Sequence, residues 1–391
     1  MTCSIPEPSE PTSTQAPVLS TRLSPNATRL SQMTTIGVGG KVQQFENVSS
    51  EEDFISAIET FDEESQKLLV LGGGSNILAS DADFLGTVIH DARSNIETIA
   101  EDSCGGAQMR VSAGTSWDEV VVYAIEHGWM GLEALSGIPG TVGAAPVQNI
   151  GAYGQEVAAS IASVRTFDRK TKTVRTFFAS DLNFGYRSSI LKASMVEGPW
   201  GPSPRWIVLD VLFHLRRATL SEPVRYAQLA NTLDINPGER VPSRDVRGAV
   251  LKLRGGKGMV LDLQDRDTYS LGSFFTNPIL SEEQAESLPE DAPRYGVSQS
   301  TSVDQIGAAA PQIAGQIKTS AAWLIDRAGF KPGFGLPGNA AVSTKHSLAL
   351  TNRGGATSEE IVRLAQTIRD GVLDQFGVTL VPEPVLVGVT I

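Results

Sequence analysis

Between Gly137 and Gly154 the chain reads Gly-Ile-Pro-Gly-Thr-Val-Gly-Ala-Ala-Pro-Val-Gln-Asn-Ile-Gly-Ala-Tyr-Gly, with no charged residue anywhere in it. Recurrent glycine costs conformational entropy on folding, and is tolerated where the backbone must approach something closely or take φ > 0. A loop that merely faced water would carry Asp, Ser or Lys, so this stretch predicts a bound ligand. Upstream, Lys67-Leu68-Leu69-Val70-Leu71 reads as a buried strand running into Gly72-Gly73-Gly74-Ser75-Asn76. The bare N–H groups of that turn form a candidate anion nest for a diphosphate. Two such loops on one chain imply one long, phosphate-bearing cofactor. The glycine fingerprint of a Rossmann dinucleotide fold fails here: Ile77 stands where the third glycine belongs, and no acidic residue is suitably placed on a following strand.

At 391 residues the chain is long enough for two or three domains with full cores. No apolar run approaches the roughly 20 residues of a membrane helix, and the start lacks the basic and apolar regions of a secretory signal. No membrane insertion and a cytoplasmic location are therefore expected. Cys3 and Cys104 are too few for a disulfide framework and are expected to be free thiols. His90, His127, His214 and His346 are scattered, which argues against a histidine metal site. A net charge of −12 excludes general nucleic-acid binding, which needs a basic face. It leaves room for a phosphorylated small ligand wherever a few basic residues are gathered.

In chain order, residues 1–30 are half Ser, Thr and Pro and predict a disordered tail. A first unit spans 31–90: a strand at 42–45, a helix opened by a capping box at Ser49-x-x-Glu52, then the strand ending at Leu71. A second unit, 91–217, holds strands at 109–113, 161–168, 173–178 and 206–215. It also holds a helix capped at Ser116-Trp117-Asp118-Glu119 and closed by Gly128. A third, 218–377, is richer in helices, at 243–253, 281–288, 321–328 and 359–376. The last of these carries Ile361, Leu364, Ala365, Ile368, Val372 and Phe376 on one face. Residues 378–391 add two short strands, 378–381 and 385–390, around Pro382-Glu383-Pro384. The fold class is α+β.

Seven motifs resemble, in order, those of the UDP-N-acetylenolpyruvoylglucosamine reductase family. They are Gly-Gly-Gly-Ser-Asn at 72–76, Ile-Pro-Gly-Thr-Val-Gly at 138–143, Gln-Asn-Ile-Gly-Ala-Tyr-Gly at 148–154, Phe-Gly-Tyr-Arg-x-Ser at 184–189, Gly-Ser-Phe-Phe-x-Asn-Pro at 272–278, Ala-Ala-Trp-Leu-Ile-Asp at 321–326 and Pro-Glu at 382–383. The resemblance implies an α+β FAD-binding fold of two subdomains, of the vanillyl-alcohol oxidase type, followed by an α+β substrate-binding domain. It implies noncovalent FAD, NADPH as hydride donor, and UDP-N-acetylglucosamine enolpyruvate as the substrate reduced to UDP-N-acetylmuramate in peptidoglycan precursor synthesis. A monomer is expected.

The same resemblance implies three catalytic residues, Arg187, Ser273 and Glu383. For FAD it implies Gly72, Gly73, Gly74, Ser75, Asn76, Gly137, Ile138, Pro139, Gly140, Thr141, Gly143, Ala144, Asn149, Gly151, Ala152 and Tyr153. For the substrate it implies Tyr226, Lys257 and Asn277, and no metal. The chemistry agrees: reducing a double bond conjugated to a carboxylate needs a hydride carrier, a cation for the developing enolate and a proton donor. Pro384, Thr276 and Asn339 depart from the family pattern, and Pro384 biases Glu383 toward extended backbone. Two alternatives stay open from the residues alone. One is a noncovalent flavin oxidase, since residues 72–76 offer no His or Cys for covalent flavin. The other is a catalytically dead nucleotide-sugar-binding protein.

Overall fold

The computed structural model describes residues 17, 18, 23, 27–102, 104–298 and 312–391. Most of the Ser/Thr/Pro-rich stretch 1–30 lies outside the described residues. What is described of it is packed: Ala27 and Leu30 are buried, and the Val18 N–H donates to Asp118 Oδ2 at 2.8 Å. Order therefore reaches further toward the N-terminus than composition implied.

The first unit contains β1 (Val42–Val48), α1 (Glu51–Glu63), β2 (Lys67–Leu71), β3 (Ile77–Ala79) and β4 (Phe84–Asp91). β4 runs between β1 and β2, parallel to both. The cap of α1 is Ser50, one residue beyond the expected Ser49, and its hydroxyl accepts from the Asp53 N–H. Phe54, Ile58 and Phe61 of α1 are buried with Leu68 and Ile89 of this sheet. The same cluster includes Phe167, Ile207 and Leu209 of the next unit, so the helix is the seam between the two.

That next unit is antiparallel. Its strands are β5 (Ile96–Asp102), β6 (Gly106–Ser112), β7 (Trp129–Met130), the short hairpin β8 (Gly151–Ala152) and β9 (Gln155–Glu156), then β10 (Ile161–Asp168), β11 (Thr173–Phe178) and β12 (Trp206–Arg217); helices α2 (Trp117–Glu126) and α3 (Ile190–Val196) accompany them. The sheet order is β11-β10-β12-β6-β5, with β7 on the end of β12. Ser116 is the N-cap of α2, but its side chain makes no cap hydrogen bond, so the expected capping box is absent. Asp118 is instead turned inward to Arg247.

The third unit begins with α4 (Ala227–Leu233) and α5 (Ser243–Gly256), which share a small core with Ala134 and Tyr153. It continues with β13 (Ile279–Ser281), α6 (Glu282–Glu286), β14 (Tyr295–Ser298), β15 (Gln312–Lys318), α7 (Ala321–Arg327), β16 (Ala340–Val342), β17 (Leu350–Asn352) and α8 (Ser358–Phe376). α8 opens on a true capping box between Thr357 and Glu360, and buries Ile361, Leu364, Ala365, Ile368 and Val372. Each Ile, Leu or Val side chain among these is worth about 1.5–3 kcal/mol when removed from water.

Residues 378–381 form no strand; Val378 and Leu380 are buried by packing alone. The final strand is β18 (Val385–Val387), shorter than expected, and it pairs in parallel with β3. The C-terminal segment is thereby carried back to the first glycine loop. Among the described residues no helix is long and apolar enough to cross a membrane.

Candidate active site

The two glycine loops face each other across a cavity of about 1180 Å³ that also reaches the third unit. Gly72 to Asn76 line one side; Ile138, Pro139, Gly140, Thr141, Gly143, Ala144, Gly151, Ala152 and Tyr153 line another. The loops touch directly. The Ser75 hydroxyl donates to the Pro139 carbonyl, and a Cβ on Gly72 would lie 2.6 Å from Thr141 Oγ1. Gly74 takes φ +63, and a Cβ there would stand 1.8 Å from the Met33 carbonyl oxygen. Its need for glycine is therefore set by the protein's own backbone.

Among the described residues, the N–H groups of Gly73 to Asn76, Gly140 and Thr141 donate to no protein acceptor. Backbone donors left free along a concave, glycine-lined wall are costly unless an anion or water takes them. The arrangement fits a diphosphate.

Two expected cofactor residues do not reach the cavity. Asn149 is fully buried. Its amide donates to Glu156 and to the Gly185 carbonyl, and its oxygen accepts from the Ala158 N–H, so it braces the loop from behind. Gly137 gives its N–H to Asp118 and its carbonyl to Arg254. Both are parts of the scaffold, a distinction that spacing in the sequence does not carry.

Arg187, Ser273 and Glu383 come together at this cavity. Segments 274–276 and 381–383 run antiparallel: the Glu383 N–H donates to the Phe274 carbonyl at 2.9 Å, and the Thr276 N–H to the Val381 carbonyl at 3.0 Å. Next along the chain, the Val385 N–H donates to the Asn76 carbonyl, fastening Glu383 to the glycine loop. Pro384 offers no N–H and fits between these two bonds without losing either.

Glu383 Oε1 lies 3.0 Å from Arg187 Nε and accepts from Gln148 Nε2 at 3.1 Å. Gln148 in turn accepts from Asn76 at 2.6 Å. Arg187 adopts a left-handed backbone, φ +53, and its guanidinium donates to the carbonyls of Gly151 at 2.7 Å and Asn149 at 3.3 Å. Backbone strain in a non-glycine residue costs on the order of 1–3 kcal/mol and clusters at functional sites. Burial pushes the Glu383 carboxyl up, while Arg187 and Lys192 pull it back. The Ser273 hydroxyl makes no hydrogen bond among the described residues and lines the cavity after Gly272, itself at φ +69.

The expected substrate residues line the same cavity. Tyr226 is half exposed and meets Tyr153 edge to face, centroids 5.5 Å apart. Lys257 sits 5.8 Å from the Tyr153 ring centroid and donates to Gln228. The Asn277 oxygen caps α7 through the Ala321 N–H.

Sequence reasoning missed several cations here. Lys192 reaches the Arg187 carbonyl at 3.4 Å from the first turn of α3. Lys318 lies 4.8 Å from the Tyr186 ring, and its ammonium finds no acceptor among the described residues. Among the described residues Arg254, also at the cavity, bonds through its side chain to the carbonyls of Gly137 and Met259. Burial pulls down the amines of Lys192, Lys257 and Lys318. His346 is held at about 4 by burial and by Lys257 and Arg254 beside it.

Comparison with known proteins decides the family. The UDP-N-acetylenolpyruvoylglucosamine reductase of Cutibacterium acnes is 48% identical over 93% of this chain and 90% of its own length. That of Thermobifida fusca is 45% identical over 93% of this chain and 97% of its own. This chain belongs to the UDP-N-acetylenolpyruvoylglucosamine reductase family. The family model for the C-terminal domain of these reductases matches residues 264–387, and one described as an FAD binding domain matches 42–176. The chain is thus an FAD-dependent oxidoreductase, and the choice between reductase and oxidase falls to the reductase. The crystal structure of the Thermus caldophilus enzyme shares the fold, with a TM-score of 0.58 at 24% identity over 92% of this chain and 97% of that one.

Lys192 had a signal in the sequence. It follows Arg187 by five residues, and Ser189 caps the helix that turns it back. Lys318 and Arg254 had none beyond being basic.

Proposed function

We propose that this reductase converts UDP-N-acetylglucosamine enolpyruvate to UDP-N-acetylmuramate with NADPH, in peptidoglycan precursor synthesis. The observation that carries the reading is the half-buried Arg187–Glu383 pair beside a Ser273 hydroxyl that makes no hydrogen bond among the described residues, at a cavity walled by free backbone N–H groups. Bound FAD supplies the hydride transfer, from NADPH to the methylene carbon of the enolpyruvyl group.

The N–H groups of Gly73 to Asn76, Gly140 and Thr141 hold the FAD diphosphate, a task that suits donors fixed in a rigid wall. Lys257 and Lys318, with Tyr226 closing over them, take the substrate diphosphate. Their half-buried amines have no carboxylate partner in hydrogen-bond contact among the described residues, so an anionic ligand repays their desolvation. Asn277, whose oxygen accepts from α7, offers its side-chain amide to the nucleotide.

Arg187 faces the enolpyruvyl carboxylate and stabilises the negative charge that gathers there. Glu383 and the two loop carbonyls fix the guanidinium plane, and Lys192 adds a second positive charge behind it. Ser273 gives its proton to the α-carbon, and the buried Phe274 and Phe275 beside it keep competing water out.

The test is turnover by the purified FAD-loaded protein. NADPH should be consumed only when the enolpyruvyl substrate is present, and the product should gain two hydrogens by mass spectrometry. A protein that binds the nucleotide sugar without consuming NADPH would overturn the reading.

A further inference from the structure

Glu133 is 1% exposed and makes no ion pair among the described residues. Its carboxylate is held by neutral donors alone. Oε2 accepts from the Gly131 N–H at 2.7 Å, and Oε1 accepts from the Gln155 amide at 3.0 Å and from the Glu222 N–H at 2.7 Å. These donors belong to three separate segments: the turn after β7, the β8–β9 hairpin, and the arm leading from β12 to α4. The Gln155 oxygen returns the contact by accepting from the Ala134 N–H at 2.9 Å.

The hairpin and the arm meet again farther along. Tyr153 lies at the hairpin turn with φ +48, Tyr226 ends the arm, and their rings contact at 5.5 Å and 88°. Val224 and Leu229 of the arm region pack with Ala134, next to Glu133. One buried carboxylate therefore ties together the roots of both segments that carry this aromatic pair.

We propose that Glu133 is a positioning residue that sets the Tyr153–Tyr226 pair, and through it the affinity for the diphosphate of the nucleotide-sugar substrate. The inference rests on the assignment of Tyr226 to the substrate. A carboxylate is needed because it only accepts. In Glu133→Gln the amide has one oxygen for three donors, and either orientation leaves a buried N–H facing an NH₂ group. The arm then loses its fixed root, while Arg187, Ser273 and Glu383 are untouched.

The experiment is a double-mutant cycle on KM and kcat of the FAD-loaded enzyme, with Glu133→Gln, Tyr226→Ala and the double variant. Glu133→Gln should keep its flavin and kcat within about threefold, and raise KM for the enolpyruvyl substrate about tenfold. In the Tyr226→Ala background the same change should add less than about threefold, because the group it acts through is gone. If the two effects multiply, Glu133 does not act through Tyr226 and the inference is overturned. Loss of flavin in Glu133→Gln would also overturn it, by making the carboxylate a cofactor support. If Tyr226→Ala leaves KM unchanged, the assignment of Tyr226 itself fails. Should Glu133→Gln not fold, Glu133→Asp, which keeps the acceptors and shortens their reach, runs through the same cycle.

Discussion

Removing Arg247 tests how the glycine-rich loop that lines the cavity is held. Asp118 on α2 is 0% exposed and Arg247 on α5 is 2% exposed. The guanidinium donates to both carboxylate oxygens, at 2.7 and 2.8 Å. The same carboxylate accepts the Gly137 N–H at 2.7 Å, at the start of the glycine-rich loop, and the Val18 N–H. Arg247→Met leaves a buried carboxylate without its counter-charge, which costs about 3–5 kcal/mol. The two remaining backbone donors soften this toward the lower figure. Asp118→Asn combined with Arg247→Met leaves no buried charge, so the double variant should be more stable than Arg247→Met alone. The sign with pH follows. Burial pushes Asp118 up, but Arg247 and the backbone donors outweigh it and hold the carboxyl below its ordinary 3.8. The pair's stabilisation is thus present above pH 3.8 and lost as pH falls through the folded value. The gap between wild type and Arg247→Met should therefore narrow on acidification. Urea denaturation followed by tryptophan fluorescence, with flavin retention measured alongside, reads all of this. An Arg247→Met protein within about 1 kcal/mol of wild type at pH 7 would refute the reasoning, as would a double variant less stable than either single one.

Gly74→Ala should destabilise the flavin-free protein as well as the loaded one, since its Cβ meets the Met33 carbonyl and φ is +63. The conformational part alone is about 1–2 kcal/mol; an unchanged melting temperature of the flavin-free protein would argue against it. Ser273→Ala should keep FAD and substrate binding and slow protonation by roughly 10²–10⁴-fold. Normal turnover with normal deuterium incorporation at the α-carbon in heavy water would make water the donor.

The motifs were legible wherever local chemistry dictates structure. The strand ending at Leu71, the capping box at Thr357 and the glycines lining the cavity all stand where composition and spacing put them. Errors arose where tertiary contacts choose between equal local options. Ser49 and Ser50 are both good caps, and only packing of Phe54 and Ile58 decides for Ser50. β5 was missed because its side chains are nearly all exposed, so Ile-Glu-Thr-Ile-Ala-Glu-Asp has no apolar face to betray it. Val378 to Val381 look like a strand, yet Val378 and Leu380 serve the core under α8 while Val381 is exposed. Asn149 sits in a motif that invites a ligand role, whereas its side-chain bonds to Glu156 and Gly185 account for it, and at Gly74 the contact with Met33 excludes a side chain without removing the N–H from the cavity wall. Lys318 and Arg254 could not be chosen from the other basic residues, because what sets them apart is that neither forms a salt bridge among the described residues, a property of the fold.

That last property reconciles a chain of net charge −12 with an anionic ligand, and it can be titrated. Away from the cavity, Arg93, Arg165, Arg169 and Arg205 are each paired with carboxylates. At the cavity, Lys257 and Arg254 form no salt bridge among the described residues, and His346 reports their field. Burial first, and then these two cations, bring its imidazole from 6.5 to about 4. A depressed histidine binds its proton more readily unfolded than folded, so stability should fall as pH drops from 6.5 toward 4, by about 3 kcal/mol in all. An anion placed against Lys257 and Arg254 cancels part of the field and raises the imidazole back. UDP-N-acetylglucosamine, whose diphosphate does not itself titrate in this range, should therefore bind with proton uptake near pH 5. Its affinity should increase as pH falls from 6.5. Calorimetry in buffers of different ionisation enthalpy measures the uptake, and His346→Asn should abolish it. Binding heats that are independent of buffer in the wild-type enzyme would place the diphosphate away from this cluster.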